Sequence, residues 1–455
     1  MTPGESAAGE RPVHSVAIDH GLHRELVADI TWTKIDPVVI ELVGMTENLD
    51  DILLADPTFW KRPDKYDILA RFRRECPISR QRLPGSDEAF WSLTRHKETR
   101  EITKNDKLFV SRYGTSMTSS RDSGEQAYEV AGMVNRDAPD HLRLRRITAK
   151  IFTPRLLQDI EGEISASART VVGAISERGE CDFAADVANK MPLKVICDML
   201  AVPEGNDRDE LSRLSTQAQG YGDENQGGQD DSLAAFIALN DYGEALSFER
   251  RKAPGDDLLS KLVTAEAGGE KLTDRDVGIY FQLLITAGFE TTASSVAHGL
   301  SFLAQHPDQW RDWREDYEGL VGTALEEIVR YATPVVHFGR RVVQDTEILG
   351  QPIAEGETVV FWYTSANRDE TVFDEPDRFD IRRNPNDHVG YGGGGVHHCL
   401  GMHLARREMY HFFKVLFETL PDLEIDLGGM QKINALFING MRRLPCSYTP
   451  VRMDA

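Results

Sequence analysis

Between Tyr66 and Cys76 the segment YDILARFRREC sets Ile68, Leu69 and Phe72 at helical spacing, so one face turns inward and the Arg-rich remainder faces water. FWSLTRH (90–96) alternates instead, which predicts a strand and a small sheet near the N-terminus. Beyond about Asp137 the helical period dominates, in LLQDIEGEISASARTVVGAI, in MPLKVICDMLAV and in a long stretch from Asp274 to Gln305. Thr273 followed by Asp276 gives that stretch a capping signature, and at 1.5 Å per residue it spans roughly 45 Å. TEILGQPIAEGETVVFWYTSA reads as β-structure with turns at Gly350 and Glu355-Gly356. Ser111–Gln126 and Gln219–Asp231 break all periodicity and read as solvated loops or as flaps over a pocket. The fold class is therefore mainly α with minor β. Residues 1–45 form an N-terminal extension, mobile over its first twenty or so Gly-, Ala- and Glu-rich positions, and 46–455 form one domain.

Composition narrows the function. Of 455 residues 40% are hydrophobic and 28% charged, which suits a water-soluble chain with a sizeable core and excludes a disordered or fibrous one. A formal charge of -22 opposes attraction to nucleic acid or anionic lipid, so neither is expected as a partner. No apolar run approaches the 18 or so residues of a membrane span, and no secretory leader is evident, so a cytoplasmic location is expected. Five cysteines, odd in number and widely scattered, argue against a disulfide framework.

The richest chemistry lies in Tyr391-Gly-Gly-Gly-Gly-Val-His-His-Cys-Leu-Gly401, which runs into the amphipathic segment LGMHLARREMYHFFKVLFETL. Four glycines let backbone approach a flat or bulky partner, and Cys399 stands where backbone N–H groups and the positive helix end favour a thiolate. Such a cysteine is a nucleophile or a metal ligand. A phosphate cradle would need a following Lys-Ser/Thr, which is missing. Zinc held by His397, His398, Cys399 and His403 is stereochemically open, because Cys399 and His403 lie one turn apart, although structural zinc usually takes paired cysteines.

This loop resembles that of the cytochrome P450 haem-thiolate monooxygenases: Gly394, His397, Cys399 and Gly401 are matched to the family signature, with Tyr391 in place of the usual Phe. Companion motifs stand in the family's order over about residue 60 to the end. Glu327-Ile-Val-Arg330 is its Glu-x-x-Arg, and Ala366-Asn-Arg-Asp369 and FDEPDRFD (373–380) are its meander. Thr286-Ala-Gly-Phe-Glu-Thr-Thr292 is its oxygen-side segment within the long helix. The resemblance implies the P450 fold, with a long central helix over a haem held between a helix-rich part and a small β part. It implies Cys399 as axial ligand of the iron of haem b, and Thr291 with Glu290 as the proton-delivering pair. Ala287 and Gly288 would leave room in the helix wall, and the Thr291 hydroxyl would turn away from the Ala287 carbonyl to open a groove. His141, Arg145, Arg340 and His397 are implied as cations for the haem propionates. Glu327 and Arg330 would form a buried pair, with Arg378 and meander carbonyls as further partners.

Leu283, Leu284, Ala287, Val335, Val336, His337, Phe338, Phe437 and Ile438 are expected to line the substrate pocket, His337 being either a structural residue or a polar contact. Their apolar character implies a lipophilic small molecule. The resemblance points to O2-dependent hydroxylation or epoxidation of a steroid, sterol or branched lipid. Alternatives are a tailoring oxidase for terpenoids, macrolides or aromatics, and a peroxide-using haem enzyme. No flavin or Fe–S segment is evident, so electrons are expected from NAD(P)H through a ferredoxin reductase and a ferredoxin. Arg406 and Arg407, with Arg143 or Arg146, are expected to make a basic docking patch.

Overall fold

The computed structural model describes residues 47–117, 128, 129, 131–151, 154–220, 223, 225, 227–267 and 270–453. The N-terminal extension and residues 118–126 of the first loop segment lie outside them. The principal helices are α1 (Lys65–Glu75), α2 (His96–Lys104), α3 (Asp140–Ile151), α4 (Glu161–Ser176), α5 (Lys190–Met199), α6 (Asn206–Gln219), α7 (Gln229–Lys252), α8 (Asp274–Gln305), α9 (Tyr317–Ala332) and α10 (Met402–Thr419). The strands that matter are β1 (Ile78–Arg82), β2 (Ala89–Leu93), β3 (Phe109–Val110), β4 (Glu180–Asp182), β5 (His337–Val342), β6 (Thr358–Trp362), β7 (Glu424–Ile425) and β8 (Pro445–Ser447).

The apolar stripe of α1 is buried at Ile68, Leu69 and Phe72, as its spacing requires. It lies with Trp362 and Val360 in a core cluster on the main sheet. That sheet has the order β1-β2-β6-β5-β3. β1 and β2 form an antiparallel pair with Ile78 opposite Leu93, β6 runs parallel to β2, and β5 returns antiparallel to β6. Its strands thus come from two stretches far apart in sequence, residues 78–110 and 337–362. The helical period of Asp274–Gln305 buries α8 along nearly its whole length, packed against α7, α5 and α9. α7 approaches so closely that a Cβ on Gly278 would stand 2.5 Å from the Asn240 carbonyl oxygen. The capping box reads as expected: the Asp276 N–H donates to Thr273 Oγ1, and the Thr273 N–H donates to Asp276 Oδ2. One β expectation is shortened. Tyr363–Ala366 leaves β6 as a helical turn, whose Tyr363 carbonyl accepts from the Asn367 N–H.

Candidate functional site

Helix α9 carries the anchor. Glu327 and Arg330 are fully buried and paired twice, Arg330 Nε to Glu327 Oε2 at 2.7 Å and Nη2 to Oε1 at 2.8 Å. Arg330 Nη1 also donates to the carbonyls of Asn367 and Pro376 at 2.8 Å each, and Nη2 donates to that of Arg378 at 3.2 Å. Glu327 accepts from the Asp380 N–H, from Arg383 Nε and from Asn386 Nδ2. Every charge is compensated, which burial demands. One expectation is corrected: the Arg378 guanidinium is exposed and pairs with Glu375, so Arg378 contributes only its carbonyl, and the second arginine of the cluster is Arg383. Exposed charge on the FDEPDRFD segment hides this, because which of several arginines turns inward depends on the path of the meander. Asn367 completes the link: its Nδ2 donates to Thr333 Oγ1 at the end of α9, and its Oδ1 accepts from the Val389 N–H just before the glycine loop.

The glycine loop packs on α2. Counted back from Cys399, the signature glycine falls on Gly395 rather than Gly394, and Tyr391 stands one residue farther from the cysteine than the family's Phe, so the loop carries an extra residue. The structure gives the reason for glycine at 395: φ is +77°, and a Cβ there would overlap the Thr103 carbonyl oxygen. The Cys399 N–H donates to the Tyr391 carbonyl at 3.0 Å, and Gly401 precedes the first turn of α10. Desolvation pushes the Cys399 thiol up, while the N–H groups of Gly401 and Met402 and the charges of Arg145 and Arg406 pull it toward thiolate. Cys399 keeps accessible surface, so a ligand can reach it although the surroundings are dry. Zinc finds no support: among the described residues no three His, Cys, Asp or Glu side chains converge as metal ligands.

Around the loop the fold gathers His141 and Arg145 of α3, Arg340 of β5 and His397. The His141 and His397 rings lie 4.1 Å apart, Arg145 Nη2 donates to the His398 carbonyl at 2.5 Å, and buried Arg340 has the Gly339 carbonyl as acceptor. Burial, with Arg340, His141 and Arg145 adding repulsion, drops His397 to about 2, and burial with Arg145 drops His141 to about 4. Asp137, whose charge is felt by His141 and Arg340, is itself engaged by Arg112 and by the N–H of Ser111. His141 Nδ1 is buried without a partner. Two arginines and two histidines gathered here, with Asp137 already committed to Arg112 and Ser111 and His141 Nδ1 left unpaired, make a cradle for a ligand bearing two carboxylates, and with an accessible cysteine beside it this donor set fits haem. Ser111, not singled out in the sequence, joins here through its hydroxyl, 3.3 Å from His397 Nε2.

The long helix supplies the opposite wall. Within its buried middle, Leu284, Ala287, Gly288 and Thr291 keep accessible surface, a spacing of three, one and three that marks one helical face. Leu283 is buried on the neighbouring face. Contrary to expectation, the Thr291 hydroxyl is not turned away from the helix: it donates to the Ala287 carbonyl at 2.7 Å. Glu290 is buried and accepts from the Thr216 hydroxyl at 2.5 Å, and burial raises its carboxyl to about 7 against the lowering effect of that bond. Gln219 Nε2, one turn farther along α6, donates to the Thr286 carbonyl at 2.8 Å. Thr216 and Gln219 lie 74 and 67 positions before these partners and carry no sequence motif, so only the fold reveals that α6 is fastened to this part of α8.

Of the remaining pocket candidates, Val335, Phe338 and Phe437 keep accessible surface, and the Phe338 and Phe437 rings meet edge-on at 5.3 Å. Val335 bridges Ile438, and the Val336 N–H donates to the Phe437 carbonyl, which zips the chain after α9 to the C-terminal turn. Val336, His337 and Ile438 are instead buried in the core. His337 has its Nδ1 3.1 Å from the Leu436 carbonyl oxygen and its ring packed on Trp362 and Phe437, while its buried Nε2 has no partner.

The expected docking patch is also altered. Arg406 is paired twice with Glu326, and Arg407 with Glu161. Both border a groove of about 680 Å³ between α4, α9 and α10. Its charge is balanced rather than basic, which the sequence concealed because the carboxylates belong to other helices. No helix among the described residues is long and apolar enough to cross a membrane.

Residues 247–432 match the family model described as Cytochrome P450. The chain is 36% identical over 410 residues to a methyl-branched lipid omega-hydroxylase of Mycobacterium bovis, covering 88% of this chain and 95% of that protein. It is 35% identical over 389 residues to a steroid C26-monooxygenase of Mycolicibacterium smegmatis, covering 84% and 90%. Among solved structures, a Mycobacterium marinum cytochrome P450 in complex with pseudoionone superposes with a TM-score of 0.82 at 32% identity, covering 89% of this chain and all of that one. The cytochrome P450 of the Bacillus subtilis bacillaene polyketide synthase gives 0.77 at 30% identity, covering 88% and 100%.

Proposed function

Because the chain belongs to the cytochrome P450 family of haem- and O2-dependent monooxygenases, we propose that it hydroxylates a methyl-branched lipid or the side chain of a steroid. The observation that carries this reading is the accessible face Leu284-Ala287-Gly288-Thr291 of α8, apolar but for one hydroxyl; Val335, Phe338 and Phe437 are further apolar residues that keep accessible surface. A surface of that kind orients an aliphatic chain by shape and offers little to a polar head. The relatives named for branched-lipid and steroid oxidation support the same substrate class.

When bound, the haem supplies the activation of O2 and the transfer of one oxygen atom to a C–H bond. The residues have separate tasks. The Cys399 sulfur would hold the haem iron, its negative charge eased by the N–H groups of Gly401 and Met402. His141, Arg145, Arg340 and His397 would hold the propionates, whose negative charge would offset the burial and cationic repulsion that together keep both histidines neutral. Leu284 and Ala287, apolar and on the accessible face of α8, would exclude water from the ligand there. Glu290, raised to about 7, can carry or release a proton near neutral pH, and Thr291 beside it on the helix presents a hydroxyl on the accessible face. This acid and alcohol favour O2 chemistry over use of peroxide. Electrons reach the protein from NAD(P)H through a ferredoxin reductase and a ferredoxin, and the enzyme works in the cytoplasm. The groove beside Arg406 and Arg407 is the docking face, with His403 as the exposed cationic candidate on its lining.

A second reading, tailoring of a terpenoid, macrolide or aromatic metabolite, is favoured by the likeness to the polyketide-associated P450. Titration of the ferric holoenzyme separates the two. A methyl-branched fatty acid or a sterol with a branched side chain should shift the haem spin state and yield a terminal alcohol by mass spectrometry. A shift given only by macrolides or aromatic compounds overturns the lipid reading.

A further inference from the structure

Cys181 and Cys446 lie 265 positions apart in sequence, yet their sulfurs stand 3.3 Å from each other. β8 runs antiparallel to β4 with Cys446 directly opposite Cys181. The flanking residues Phe183 and Leu444 on one side, and Gly179 and Tyr448 on the other, are joined by backbone hydrogen bonds of 2.8 and 2.9 Å. Because hydrogen-bonded pairs recur every second residue, the cysteines occupy a hydrogen-bonded pair, whose Cα atoms lie about 5.5 Å apart, inside the range that a disulfide spans. Both side chains are on one face of the sheet and already touch, so closing the bond needs rotation of side chains, not movement of strands. We propose that Cys181 and Cys446 are a dithiol modification site that closes to a disulfide in exchange with a low-molecular-weight disulfide such as oxidised glutathione.

The two sulfurs are not equivalent. Cys181 is half-buried and Cys446 buried. The hydrogen bond from the Cys446 thiol holds Cys181 below the usual thiol range, while that same pairing, together with burial, holds Cys446 above it. Cys181 is therefore the attacking thiolate. It displaces one glutathione thiolate from the oxidised reagent and forms a mixed disulfide. Cys446 loses its proton and attacks the Cys181 sulfur, displacing the second glutathione. One reagent disulfide is reduced to two thiols, and two protein thiols are oxidised to one disulfide. The closed bond ties the C-terminal strand to the segment that follows α4, around a loop of 265 residues, and so restricts the unfolded chain strongly.

The test uses the full-length holoenzyme, equilibrated with mixtures of oxidised and reduced glutathione, then denatured in acid, alkylated and mapped by mass spectrometry. The expected result is the loss of two of the five thiols, a Cys181–Cys446 cross-linked peptide, and a melting temperature higher than that of the reduced protein. Cys446→Ser should accumulate glutathione on Cys181, Cys181→Ser should remain unmodified at Cys446, and neither should show the rise in melting temperature. Retention of all five thiols in the wild type under the most oxidising mixture, cross-linking of any other pair, or equal modification of Cys446 in Cys181→Ser overturns the proposal.

Discussion

Glu290 is a buried acid in the middle of α8, and replacing it by Gln removes its charge while keeping its shape. In the folded protein its carboxyl lies at about 7 against an ordinary 4.5, so between these values the native state holds a proton that the unfolded chain has released. The stability associated with this protonation is fully present below pH 4.5 and is lost as pH rises through 7. At 1.36 kcal/mol for each tenfold change, the full cost of ionising Glu290 in place is about 3 kcal/mol. Gln keeps an oxygen to accept from Thr216 but brings an amide N–H2 with no partner described, which costs about 1 kcal/mol. Glu290→Gln is thus expected to be about 2 kcal/mol more stable than wild type at pH 8, and equal to it or slightly weaker at pH 4.5. Glu408, the other buried acid raised by burial, is common to both proteins and cancels in the comparison. Urea unfolding followed by far-UV circular dichroism at several pH values between 4.5 and 8 measures the difference. A difference that does not change with pH would refute the reasoning, as would a variant weaker than wild type at pH 8.

Removing the Glu327 carboxylate leaves Arg330 buried and Arg383 without its partner, so Glu327→Ala should cost about 3–5 kcal/mol in urea unfolding. The double variant Glu327→Ala with Arg330→Leu should be less destabilised than the sum of the single changes. Arg340→Leu deletes one charge-assisted contact worth about 1.5–3 kcal/mol, and haem transfer to apomyoglobin should accelerate about tenfold to a hundredfold. Ala287→Phe fills the accessible face of α8 and should abolish the spin shift given by branched lipids while leaving haem content unchanged.

Much of this architecture was legible because its causes are local. The spacing of Ile68, Leu69 and Phe72, the Thr273–Asp276 cap and the extent of α8 follow from periodicity and capping alone. The Glu-x-x-Arg spacing puts Glu327 and Arg330 one turn apart on α9, where they form a buried pair. What failed depends on the path of distant segments. Arg383 rather than Arg378 turns inward because of the meander's fold. Arg406 and Arg407 meet carboxylates from α9 and α4, which no linear reading pairs with them. Thr216 reaches Glu290, and Cys446 meets Cys181, across 74 and 265 positions, distances over which a single sequence carries no signal of contact.

The central claim is that Cys399 is the thiolate ligand of a haem iron, and one spectrum tests it most directly. The protein, purified with its haem, is reduced under carbon monoxide and the difference spectrum recorded. The account predicts the long-wavelength Soret band of a thiolate-ligated ferrous carbonyl haem, lost in Cys399→Ser while the haem content of that variant is measured separately. A wild-type protein that binds haem but lacks this band, or a Cys399→Ser protein that retains it, would contradict the account.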